Sequence, residues 1–130
     1  ANFFAWHIKE DRQAAIAEVR MELIWRGLLQ PWHTVPFLGD ADAAFVDQHR
    51  PAFLQAFLAR SPRIEGVPER IIAALVDNLT FTGSPDDIGE IARQLKEFAR
   101  AGLDEVTLKI HGDAREAIRL IGAHLVPQLQ

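Results

Sequence analysis

The chain has 130 residues, 48% apolar and 25% charged, and its 14 basic against 18 acidic side chains leave a formal charge of -4. That is chain enough for one domain with a buried core and a globular composition, and the acidic balance argues against a nucleic-acid partner. Cysteine is absent, which excludes disulfides, thiolate nucleophiles, iron–sulfur clusters and cysteine-based zinc sites.

No run of about 18 uncharged apolar residues offers a membrane span, and the opening apolar stretch lacks the basic flank of a signal peptide. A cytoplasmic protein is expected. The chain begins without methionine, which leads to the expectation that residues have been trimmed or that a longer parent protein precedes it.

Residues 2–8, headed by Ala1, form a nearly unbroken aromatic and aliphatic run, the pattern of a strand covered on both faces. From Asp11 the period changes. Ile16, Val19, Leu23 and Ile24 fall at helical spacing to about Arg26, with a stop near Gly27. Residues 28–78 then read as a helical insertion, dense in proline at Pro31, Pro36, Pro51 and Pro62. Within it Asp42 caps a helix to about His49, and Pro51 sits in the first turn of another carrying Phe53, Leu54, Phe57 and Leu58. Pro68 opens a third, with Ile71, Ile72, Leu75 and Val76 as its stripe and an end near Asn78.

Residues 79–130 are more regular. A short strand over 79–82 ends at Gly83, and Ser84-Pro85-Asp86-Asp87 carries every sign of a helix start: capping serine, proline at the first position and a carboxylate three residues on. Ile88, Ile91, Ala92, Leu95, Phe98 and Ala99 form the stripe of that helix, and Gly102 occupies its left-handed C-terminal position. Residues 105–111 alternate as a strand. Gly112, Asp113 and Glu116 begin a last helix with Ala117, Ile118, Ile121 and Leu125 inside.

Strand, helix, strand, helix in this order predicts an α/β fold with about three parallel strands and outer helices. Three strands leave two edges open. Either the chain is one arc of a larger closed (β/α) barrel, or separate copies complete the edges as a homo-oligomer.

Five histidines occur, at 7, 33, 49, 111 and 124, and no two share a metal-binding spacing. His124 on the last helix is read as structural, and His33 and His49 have no evident partner. His7 and His111 differ, because each stands at the carboxyl end of a parallel strand, where α/β proteins bind ligands. Lys109 shares the alternating face of Thr107 and His111. Thr80, Thr82, Gly83 and Ser84 form a strand-to-helix turn of the kind that holds phosphate, but Asp86 and Asp87 neutralise the helix start, so plain capping is expected. Neither serine lies in a nucleophile elbow, and no phosphate- or dinucleotide-binding glycine motif is present.

The segment Leu79-Thr80-Phe81-Thr82-Gly83-Ser84-Pro85-Asp86-Asp87-Ile88, then Gly102-Leu103-Asp104-Glu105-Val106, then Ala117-Ile118-Arg119-Leu120-Ile121-Gly122 with Val126-Pro127, resembles the C-terminal part of the bacterial luciferase-like monooxygenase superfamily. The branch it resembles most is deazaflavin-dependent and includes methylenetetrahydromethanopterin reductase-like proteins. Ile8-Lys9-Glu10-Asp11 with Ala14-Ala15 resembles the sixth strand and following helix of that family. The resemblance implies a C-terminal arc of a (β/α)8 TIM barrel of about 250 residues, with strands six to eight here and an insertion after helix six.

It further implies a flavin- or deazaflavin-dependent oxidoreductase or monooxygenase passing hydride between its cofactor, deazaflavin or flavin mononucleotide (FMN), and a small organic substrate. The earlier strands of such a barrel hold most cofactor contacts, so this chain alone is expected to bind none and to be inactive. Trp6, His7, Thr82, Lys109 and His111 are the candidate lining positions, with no catalytic role assigned. The competing reading is a non-enzymatic α/β module that self-associates or binds a partner through its edges and through Phe37, Phe45, Phe53 and Phe57.

Overall fold

A computed structural model describes residues 2–130, except the side chains of residues 2, 3 and 26; Ala1, at the head of the expected first strand, lies outside the described residues. The chain forms two compact units, one made of the residues up to Ala15 with Phe81–Gln130, the other of Ile16–Thr80.

The first unit is built on strands β1 (Asn2–Ile8), β2 (Thr80–Gly83) and β3 (Val106–Ile110). They form a three-stranded parallel sheet in the order β2-β1-β3, with Phe4 opposite Leu108 and Trp6 opposite Ile110. The α/β expectation holds. The neighbour order corrects the expected run of strands six, seven and eight, which would place β2 in the middle. Burial explains the difference: Phe4, Ala5, Trp6, His7 and Ile8 are all buried, so the apolar β1 takes the centre. The four-residue β2 and the half-buried β3 take the edges.

Helices α6 (Ile88–Arg100) and α7 (Ala114–Leu120) follow β2 and β3. Their stripes, Ile88, Ile91, Ala92 and Leu95 on α6 and Ala117 and Leu120 on α7, join Leu125 to cover Phe4, Trp6, Ile8 and Phe81. Each of the isoleucine and leucine side chains contributes about 1.5–3 kcal/mol on burial. Phe4 stacks on Phe81 at 4.7 Å and on Phe98 at 5.7 Å. Val106, Leu108 and Ile110 pack half-buried against the same cluster, so both helices lie on one face of the sheet.

The last helix is not continuous as expected. α7 passes into a π-helical turn over Ile121–Leu125 before α8 (Val126–Leu129). Pro127 has no N–H for the carbonyl four residues back and its ring crowds that carbonyl, so the backbone widens upstream. The side chain of Gln128 donates to the carbonyl of His124 at 2.7 Å. Ile118, expected inside, is 62% exposed.

The second unit is helical. α1 (Arg12–Glu22) begins in the sheet unit and ends here, earlier than expected, and a 3-10 turn at Trp25–Gly27 follows. α2 (Pro31–Leu38), α3 (Asp40–Gln48), α4 (Arg50–Ala59) and α5 (Glu69–Leu79) complete it. α2 is an element the sequence does not predict: proline ordinarily breaks a helix, whereas Pro31 starts this one. Arg20 pairs with both oxygens of Glu69 at 2.8 and 3.0 Å and donates to the carbonyl of Pro62 at 2.7 Å. Arg70 pairs with Asp42 at 2.7 Å, so Asp42 ties α3 to α5 instead of capping a helix.

Candidate functional site

Strand alternation sorts the candidate residues. Phe4, Trp6 and Ile8 on β1, Phe81 on β2 and Val106, Leu108 and Ile110 on β3 face the helices α6 and α7. The opposite face therefore carries Ala5 and His7, Thr82, and Thr107, Lys109 and His111. Four of the five sequence candidates meet on it. Trp6 is the exception: it lies in the apolar cluster, edge-on to Phe81 at 6.5 Å and 77°. Its indole N–H finds no acceptor among the described residues, an uncommon state for a buried donor.

Continuing the β1–β3 register by one residue sets His7 beside His111. Their rings stack with centroids 4.4 Å apart and planes 21° from parallel, His7 being 1% exposed and His111 half-buried. The buried His7 ring thus backs the half-buried His111 ring at the carboxyl ends of two adjacent parallel strands, with Lys109 two residues below on the same face.

The turns leaving the strands are held by carboxylates. Asp11 accepts the backbone N–H of Gln13 at 2.9 Å, Asp87 that of Ser84 at 2.8 Å, and Asp113 that of Glu116 at 3.1 Å. The expected capping at Ser84 to Asp87 is present as a capping box, with Arg12 donating to Asp87 at 2.9 Å and to the Ser84 hydroxyl at 3.2 Å. Gly83 makes this possible: at φ +155°, a Cβ there would lie 2.1 Å from the Asp87 Oδ2. The helix starts are satisfied by the chain's own acids, which disfavours phosphate at them.

A crevice of about 240 Å³ opens here, lined by Ile8, Lys9, Glu10, Asp11, His111 and Asp113 among others. Glu116 also borders it and is hydrogen-bonded by Arg119 at 2.8 and 2.6 Å; that guanidinium holds the carboxyl below its ordinary range. Sequence reasoning missed Arg12, Lys9 and Glu116. The available signal was the acid at the start of each strand-to-helix turn, which predicts capping but not which cation crosses from one turn to the next.

The other histidines lie elsewhere. His49 stacks on Phe45 at 3.9 Å, with Nδ1 2.8 Å from the Phe45 carbonyl. His33 lies half-buried in α2, and His124 is exposed. Among the described residues no group of three or more metal-ligating side chains converges, and no helix is long and apolar enough to cross a membrane. Comparisons with protein-family models, curated proteins and solved structures find no match to this chain.

Proposed function

We propose that the chain contributes the carboxyl-face lining of a flavin- or deazaflavin-dependent oxidoreductase of the luciferase-like class, acting on a small organic substrate in a cytoplasmic setting. The observation that supports this reading is the division of the sheet. Helices α6 and α7 cover one apolar face, while Thr82, His7, Lys109 and His111 gather on the other, a two-faced division that (β/α) barrels share, although the β2-β1-β3 order departs from the sequential staves of such a barrel. In its finer form the reading places further strands of a longer protein beyond the open edges.

The residues fit one end of such a cofactor. Lys109, Thr82 and His111 supply donors suited to the carbonyl-bearing rings, with the buried His7 ring stacked behind that of His111. The crevice does not fit the phosphate: it is rimmed by Glu10, Asp11, Asp113 and Glu116, and 240 Å³ is below the roughly 300–1,000 Å³ of a ligand pocket. The reading therefore assigns phosphate binding to another part of the longer protein. The cofactor would supply the hydride chemistry when bound; these side chains would orient its rings and exclude water beside them.

The test is a titration of the 130-residue chain with riboflavin and with FMN, followed by amide chemical shifts. Binding no tighter than millimolar is expected, equal for the two, with whatever shifts occur confined to His7, Thr82, Lys109 and His111 and their neighbours. Shifts that leave those four residues unmoved, or micromolar binding that needs the phosphate, would overturn it.

A further inference from the structure

We infer that the outer edge of β3 is a docking surface for a second copy of this chain, entered by antiparallel pairing of β3 with β3. The inference goes beyond the oxidoreductase reading and does not rest on it. β3 pairs with β1 along one edge, and among the described residues no strand pairs with its other. Unlike the buried β1, it leaves Val106, Leu108 and Ile110 half-buried. Beside them lies an open apolar groove of about 320 Å³, lined by Leu103, Val106, Leu108, Ile121, Leu125 and Leu129 among others. Val126 and Leu129 at this groove are exposed. An open edge continued by an apolar groove is a template for another strand.

The order of side chains in residues 105–111 selects the occupant. Glu105, Thr107, Lys109 and His111 alternate with Val106, Leu108 and Ile110, so Leu108 is the midpoint. With a two-fold axis at Leu108, that residue faces Leu108 of the second copy and Val106 faces Ile110 of the second copy, all on the apolar side. On the polar side Glu105 faces His111 of the second copy, Thr107 faces Lys109 of the second copy, and Lys109 has Glu105 and Lys109 of the second copy as its two diagonal neighbours, so that each acid lies between two bases and the one like-charge contact is diagonal and not direct. Acid meets base at both ends of the axis, as a self-complementary interface requires. Parallel pairing in register would set Glu105 on Glu105 and Lys109 on Lys109, which is unfavourable. An edge lysine ordinarily guards against pairing; here the same strand carries the acid that matches it.

Sedimentation velocity of the 130-residue chain over a micromolar concentration series, at low and high salt, tests this. A dimer that weakens as salt rises is expected. Glu105→Lys and Lys109→Glu each weaken it by about tenfold or more, and the two together restore affinity to within about threefold, because the signs are exchanged and not lost. Glu105→Gln, which adds no charge, weakens it about threefold, and urea midpoints report whether each variant keeps its fold. A monomer at every concentration, or a dimer indifferent to both charge reversals, would overturn the inference.

Discussion

Replacing Gly83 by alanine drives a methyl group against the Asp87 carboxylate, since the added Cβ would sit 2.1 Å from Oδ2. The carboxylate must then abandon the Ser84 N–H it accepts at 2.8 Å and its contact with Arg12 at 2.9 Å. Gly83→Ala is expected to lose about 1–3 kcal/mol, read from urea unfolding. The loss should shrink in an Asp87→Ala background, because the clash partner is gone. Additive losses in the two backgrounds would show that backbone strain alone governs the position. The glycine was legible in the sequence as a strand end. Its reason was not, because only the folded turn brings the Asp87 side chain over it.

Among the elements, those with local punctuation were legible and those decided by packing were not. The Ser84 cap opens a 3-10 turn over Pro85–Asp87 that runs into α6 at Ile88, and α6 stops before Gly102, at φ +100°, so the expected start and stop signals are both used. α7 starts where expected, with Asp113 accepting from Glu116. It is only seven residues long, too short to be stable by propensity alone, so its cap carries unusual weight. Asp113→Ala is expected to lose about 1 kcal/mol, and faster amide exchange should be confined to the turn after β3 and to α7. Exchange spread evenly over the sheet unit would contradict that local role. The π-helical turn escaped the sequence reading because Pro127 follows a stretch whose apolar spacing is helical throughout. Its effect falls on backbone four residues earlier, where no residue type marks it.

Across the whole molecule, exposed arginine–carboxylate pairs set the acid response. Asp42, Glu69, Glu90 and Glu116 are each held below their ordinary range, chiefly by hydrogen bonds from Arg70, Arg20, Arg93 and Arg119. A carboxyl lowered in the folded state stabilises it fully above the unfolded value, and loses that contribution as pH falls through the lowered folded value. Stability should therefore be flat from neutrality to about pH 5 and decline below about pH 4. High salt should flatten the decline, because the pairs are solvent-exposed. Urea midpoints against pH at two salt concentrations check this, and a decline beginning near pH 6 would place the response on histidine instead.

Local composition and periodicity determined the α/β class, the capped helices α6 and α7, the parallel strands and the position of His7 and His111 at strand ends, because each depends on residues a few places apart. The tertiary structure decided that β1 is central, that Trp6 joins the apolar cluster while Thr82, His7, Lys109 and His111 share the other face, and that Arg12 reaches Asp87. Those outcomes depend on which strand buries the most surface and on contacts between residues more than seventy positions apart, which no local pattern encodes.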